Sequence, residues 1–194
     1  MGRSFVSLTN PRTIAGFVLA GGASTRMGQD KALLAIQGVP MASRVASVLV
    51  TAGCDPVALV GRQPELHGLG WTVIPDPDVA STHHPLLGIG AALHAMACEM
   101  ALFVPCDLIS IRPDAIKTML VHNAPCVASS AGRIHPLVAL LPKTWAKRAL
   151  EFAAAQASVH SFVEGLPNIA LPESQMQNAN HPEDLPRLSA FGPS

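Results

Sequence analysis

Arg26, Lys31, Asp76 and Asp107 are the side chains whose types and surroundings suit chemistry on phosphates. Arg26 and Lys31 belong to Gly16-Phe17-Val18-Leu19-Ala20-Gly21-Gly22-Ala23-Ser24-Thr25-Arg26-Met27-Gly28-Gln29-Asp30-Lys31, which opens as an apolar strand and runs without a gap into a Gly-rich loop. Gly21, Gly22 and Gly28 let the backbone take positive φ and bring its N–H groups close to a ligand, while the two cations add fixed positive charge. Together they suit an oligophosphate, and a nucleoside triphosphate meets that demand. Two common phosphate loops do not account for the pattern. A Walker A loop has four residues between its glycines and Lys-Ser/Thr directly after the second, whereas five residues separate Gly22 from Gly28 and Gln29-Asp30 precede Lys31. A dinucleotide fingerprint requires glycines at offsets that Gly21-Gly22-Ala23-Ser24 lacks.

Two acids follow other apolar runs, Asp76 in Pro75-Asp76-Pro77-Asp78 and Asp107 in Pro105-Cys106-Asp107. Carboxylates beside a triphosphate loop invite Mg²⁺, which is held by one or two carboxylates together with phosphate oxygens. Asp107 is the better metal candidate. Each has an ordinary alternative, Asp107 as a cap before Ile111-Arg112-Pro113 and Asp76 as an Asx turn between prolines.

The elements that must position these groups read as an α/β alternation. Strands are expected at Ile14–Ala20, Val57–Gly61, Trp71–Ile74, Ala101–Pro105, Pro125–Ser129, Pro136–Leu141 and Asn168–Leu171. Helices are expected after Pro40 up to Gly53 and over Leu86–Met100, Pro113–His122, Lys143–Ala157, Ser158–Gly165 and Pro182–Ser189. That order predicts a mostly parallel sheet covered on both faces, a three-layer sandwich of Rossmann-like type, with ligands gathering at the carboxyl ends of the strands. Residues 1–13 are expected to be a loose extension and 14–190 a single domain, since 194 residues suit one substantial core better than two.

Composition narrows the function. Net charge is zero, with 13 Lys+Arg against 13 Asp+Glu, so no global basic field draws nucleic acid. Cys54, Cys98, Cys106 and Cys126 form no C-x-x-C pair and are expected reduced and buried. The eight histidines include no H-E-x-x-H, and Ser24 lacks a G-x-S-x-G elbow, which argues against a zinc hydrolase and against acyl transfer. No apolar run approaches membrane-spanning length, and a cytoplasmic soluble protein without membrane partners is expected.

The segment Leu19 to Lys31 resembles the signature of the nucleotidyltransferases, and most closely the molybdenum cofactor guanylyltransferases, whose Leu-Ala-Gly-Gly-x-Ser-x-Arg-Met-Gly-x-Asp-Lys is matched at every specified position. The nucleotide-diphospho-sugar transferase fold is implied with it. Further similar segments follow in order: Pro105-Cys106-Asp107 with Pro113-Asp114, Arg133-Ile134-His135-Pro136, and Gln177-Asn178-Ala179-Asn180-His181-Pro182-Glu183-Asp184-Leu185. By this resemblance Leu19, Ala20, Gly21, Gly22, Lys31, Asp76 and Asp107 bind the nucleotide. Arg26, Lys31 and Asp107 act in catalysis, Asp107 carries Mg²⁺, and His135, Asn178 and Asn180 lie toward the second substrate. For His135 a plain strand-edge role, and for the two asparagines a turn before a Pro-initiated helix, remain open.

The implied reaction transfers GMP from GTP to the terminal phosphate of molybdopterin, or its molybdenum-loaded form, with release of pyrophosphate. Transient contact with other molybdenum cofactor proteins is the protein partnership expected. Two departures stand out. His84 occupies the place of a family glycine in His84-Pro85-Leu86-Leu87-Gly88, where a side chain is expected to disturb packing against the base, and Gly61 stands where the family often has Asn. They motivate the alternatives, a CTP-dependent nucleotidyltransferase acting on molybdopterin or a small phosphate or sugar acceptor, and a catalytically weakened nucleotide- or cofactor-binding protein.

Overall fold

The computed structural model describes residues 13–21, 30–77 and 84–179. The expected helix at 182–189 lies outside the described residues, as do residues 1–12.

Apolar residues alternate faces along the central strands, and that alternation builds two cores on one sheet. On β1 (Ile14–Leu19), Ala15, Phe17 and Leu19 join one cluster while Val18 joins the other; on β6 (Met100–Pro105), Ala101 and Phe103 oppose Leu102 and Val104 in the same way. Phe17 and Phe103 sit side by side across the β1–β6 pair with ring centroids 5.3 Å apart. Helices α1 (Met41–Ala52) and α3 (Pro113–His122) cover the Val18 face. Helices α2 (Pro85–Ala95), α4 (Ala146–Ala154) and the single turn α5 (Val159–Phe162) cover the Phe17 face. The expected three layers result.

The remaining strands are β2 (Ala35–Ile36), β3 (Val39–Pro40), β4 (Val57–Val60), β5 (Thr72–Ile74), β7 (Cys126–Ser130), β8 (Arg133–Pro142) and β9 (Asn168–Ala170). The main sheet is seven-stranded in the order β5-β4-β1-β6-β8-β7-β9, with β2 and β3 forming a separate hairpin. Strands β5, β4, β1 and β6 are parallel neighbours, as are β7 and β9, and β8 alone runs antiparallel to both its neighbours. Its reversal follows from the two-residue turn Ala131-Gly132, both at positive φ (46° and 76°), which joins β7 to β8 as a hairpin.

Several boundaries differ from the expectation. The helix expected over Leu86–Met100 stops at Ala95, because Met100 already pairs with Ile14 as the first residue of β6. The Lys143–Ala157 helix begins as a 3-10 turn, Lys143–Trp145, and the Ser158–Gly165 helix shrinks to one turn capped by Ser158, whose hydroxyl accepts from the Ser161 N–H. The β2–β3 hairpin was not expected; its Gln37-Gly38 turn, at φ 51° and 78°, connects strands too short to show a period.

Candidate functional site

The parallel strands β5, β4, β1 and β6 all end on one side of the sheet, and a cleft of about 400 Å³ opens there. Its wall runs from Asp76 and Gly88, past Leu19, Ala20 and Gly21, to Lys31, Cys106 and Asp107, and on to His135 through Val138 and Asn178. Of the residues singled out in the sequence, Leu19, Ala20, Gly21, Lys31, Asp76, Asp107, His135 and Asn178 therefore share one cavity. Gly22, Arg26 and Asn180 lie outside the described residues.

Lys31 is aimed by the turn it opens. The Asp30 carboxylate Oδ1 accepts from the Ala32 N–H at 2.9 Å, capping the 3-10 turn Lys31–Leu33. Lys31 Nζ then lies 3.5 Å from Asp107 Oδ2, with the two side chains 19% and 21% exposed. Asp107 follows β6 at a tight turn closed by Leu108 N–H on the Pro105 carbonyl, so its side chain pairs with Lys31 and does not cap the segment before Pro113. Burial pushes the Asp107 carboxyl above its ordinary 3.8, with the Lys31 charge and hydrogen bond pulling the other way. Burial also raises Asp30, and Glu65 adds to that, against hydrogen bonds from Ala32 and Gln63. An acid desolvated this far, with one cation beside it, is under-compensated and suited to a divalent ion. Among the described residues no three His, Cys, Asp or Glu side chains converge as a ready metal cage.

Asp76 ends the other side of the cleft. Its N–H bonds the Gly61 carbonyl at 3.4 Å, and its Oδ2 lies 3.6 Å from Arg62 Nε, so the side chain is engaged by an ion pair as well as by its place between prolines. Sequence reasoning passed over Arg62, whose only signal was its position two residues after the end of β4 and next to the Gly61 departure. An Asn at position 61 would need Leu66 and Gln63 to shift their side-chain ends, since a Cβ would meet Leu66 Cδ1 at 2.6 Å and Gln63 Oε1 at 2.9 Å.

His84, expected to disturb packing against the base, has its side chain engaged by the protein itself. Its Nδ1 accepts from the Leu86 N–H at 3.2 Å, which leaves Nε2 as the donor to the Ala157 carbonyl at 2.9 Å. The imidazole thus caps α2 and ties it to the loop after α4, while Pro85 and Gly88, not His84, line the cleft.

The far wall is made by an irregularity in β8. The β7 partner of β8 passes from Ala139, opposite Val127, directly to His135, opposite Ala128, so Pro136, Leu137 and Val138 leave the ladder, and these same residues line the cleft. His135 Nε2 is 2.7 Å from the Ser130 hydroxyl, and burial, with the nearby Arg133 charge, lowers its affinity for a proton. Asn178 is brought in by the returning C-terminal segment. Ser110 Oγ donates to the Gln177 carbonyl and accepts from its N–H, both at 3.0 Å, and the Ala179 N–H bonds the Asp107 carbonyl at 2.9 Å.

All four cysteines are free and buried, and no helix of the described residues is long and apolar enough to cross a membrane. Residues 16–170 match the MobA-like NTP transferase domain. The chain is 33% identical over 183 residues to the molybdenum cofactor guanylyltransferase of Rhodobacter capsulatus, covering 90% of this chain and 94% of that protein. A probable molybdenum cofactor guanylyltransferase of Nostoc sp. is 31% identical over 189 residues, 89% of this chain and 88% of that one. Among solved structures, the molybdopterin-guanine dinucleotide biosynthesis protein A of Archaeoglobus fulgidus superposes with a TM-score of 0.72 at 17% identity, covering 92% of this chain and 98% of that one, and so shares the nucleotidyltransferase fold. The chain, with its Lys31–Asp107 cleft at the ends of the parallel strands, belongs to the MobA-like NTP transferase family and is a nucleotidyltransferase.

Proposed function

We propose that this protein transfers GMP from GTP to the terminal phosphate of molybdopterin, forming the guanine dinucleotide and releasing pyrophosphate. The observation that carries it is the Lys31–Asp107 pair, set in one cleft with Gly21 on one side and Asp76 beyond; similarity to guanylyltransferases over most of the chain supports the choice of substrates. A phosphate oxygen of molybdopterin attacks the α-phosphorus of GTP, and the bond to the oxygen bridging the α- and β-phosphates breaks, leaving pyrophosphate. The attacking group is already anionic near neutral pH, so no general base is needed, and positioning with charge neutralisation supplies the acceleration. Lys31 neutralises the triphosphate, and Gly21 brings its backbone close to it. Leu19, Ala20, Gly22 and Arg26 complete the nucleotide loop. In this reading His135, Asn178 and Asn180 serve to bind the second substrate.

Nucleotidyltransferases of this family generally use a divalent metal, and the under-compensated burial of Asp107 fits one. We take it to be Mg²⁺, held by Asp107 and phosphate oxygens, which when bound draws charge from the reacting phosphates. Four reduced, buried cysteines are in keeping with a cytoplasmic location. The single domain spans 14–190 in this reading. The test is the mass of the product formed from molybdopterin with GTP or with CTP. A guanine dinucleotide supports the reading, and a cytosine dinucleotide, or nucleotide binding without any product, refutes it.

A further inference from the structure

Arg62 takes no part in the reaction as described, yet it is held against the cleft by three contacts. Its Nε lies 3.6 Å from Asp76 Oδ2, its Nη2 donates to the Pro77 carbonyl at 2.6 Å, and its backbone N–H donates to Gln63 Oε1 at 3.0 Å. Both charged side chains are largely buried, Arg62 26% and Asp76 17% exposed. A guanidinium is a rigid planar fork, so one group that engages both the carboxylate and the next residue's carbonyl fixes the acid relative to its own backbone. Two glycines also lie beside the carboxylate. A Cβ at Gly21 would meet Asp76 Oδ2 at 3.3 Å, and one at Gly88 would meet its Oδ1 at 3.6 Å and Val60 Cγ1 at 2.9 Å. Asp76 is thereby wedged between Arg62, the exit of β1 and the first turn of α2.

This wedge stands at the β5 end of the cleft, and Lys31 with Asp107 at the β6 end. A nucleotide whose phosphates lie by Lys31 and Asp107 then has its nucleoside half at Asp76. An ionised carboxylate only accepts hydrogen bonds. Guanosine offers two adjacent pairs of donors, N1–H with the N2 amine on the base and the two hydroxyls of the ribose.

We propose that Arg62 is a positioning residue for nucleotide selection, holding the Asp76 carboxylate so that it receives an adjacent donor pair of the nucleoside. The proposal rests on the nucleotidyltransferase reading, with the phosphates at Lys31 and Asp107, and adds to it the residue that sets discrimination at the other end.

The test compares the full chain with Arg62→Gln and Arg62→Lys, using GTP, ITP (which lacks the N2 amine) and 2′-deoxy-GTP at saturating molybdopterin. Arg62→Gln raises KM for GTP about tenfold with kcat within about twofold, and it erodes the wild-type preference for GTP over one analogue. Erosion against ITP places the contact on the base, and erosion against 2′-deoxy-GTP places it on the ribose. Arg62→Lys recovers part of the KM, since it restores the charge without the fork. Native melting with unchanged KM and unchanged preference in Arg62→Gln overturns the proposal, and so does a fall in melting temperature and kcat that leaves both preferences intact. If the wild type uses CTP, the GTP reading fails, while Arg62 is still judged by the KM of its variants for CTP and their preference over 2′-deoxy-CTP. A flat KM for whichever nucleotide the wild type uses removes Arg62 alone.

Discussion

At the scale of single residues, the cleft mixes groups that act on a ligand with groups that only hold the fold, and the two kinds look alike in the sequence. His84 is of the second kind. His84→Ala removes the α2 cap and the bond to Ala157, and is expected to cost about 1 kcal/mol in denaturant unfolding while leaving KM for GTP within about twofold. A large rise in KM would mean that the imidazole reaches the nucleotide. His135 gives a pH signature. Its folded-state proton affinity is lowered below the ordinary 6.5, so the unfolded chain binds the proton more readily, and this residue contributes stability that is complete above about 6.5 and is lost as pH falls through its lowered value. His135→Gln should therefore flatten the fall in melting temperature that wild type shows as pH drops below about 6.5. Parallel profiles for the two proteins would contradict the assignment.

Elements set what those residues can reach. The segment 175–179 is pinned to the turn after β6 by buried Ser110 and Gln175; Gln175 Oε1 accepts from the Arg112 N–H, and its Nε2 donates to Asp114 Oδ2. Ser110→Ala leaves the Gln177 N–H and carbonyl without that partner and frees Asn178. It is expected to raise KM for molybdopterin severalfold more than KM for GTP, at about 1–3 kcal/mol of stability. Steady-state kinetics with each substrate varied in turn checks this, and an equal rise in both constants would place Asn178 away from the second substrate. Element geometry is also where sequence reasoning was weakest. Apolar runs showed where the strands of the main sheet lie, because the inner ones, β4, β1, β6, β8 and β7, bury residues on both faces. They did not show that β8 runs backwards or that Pro136, Leu137 and Val138 leave the ladder, since an Ala-Gly turn and a break in register leave no periodic trace.

Over the whole molecule, one sheet carries two cores, and the cleft sits where its parallel strands end. Phe103, fully buried on the α2 and α4 face of the sheet, packs its ring at a tilt beside Phe17 of β1, the strand that leads into Gly21. Phe103→Ala is expected to cost about 3–5 kcal/mol in denaturant unfolding. A loss below about 1 kcal/mol would mean that this face does not hold the strands together. That Asp76 and Asp107 share the cleft was legible because each stands just after an apolar run, at the strand ends where an open parallel sheet collects its ligands, and Lys31 was legible from the Gly-rich loop that precedes it. Arg62 was not legible, because its meaning depends on Asp76, which only the pairing of β4 with β5 brings alongside.

In the proposed reaction Lys31 and Asp107 work together on a nucleotide's phosphates. Pyrophosphate release from GTP in the presence of molybdopterin and Mg²⁺, measured for wild type, Lys31→Ala and Asp107→Ala, tests that most directly. Each variant is predicted to lose at least about a hundredfold in kcat/KM while keeping a cooperative melt. Near-native turnover in both would contradict the account.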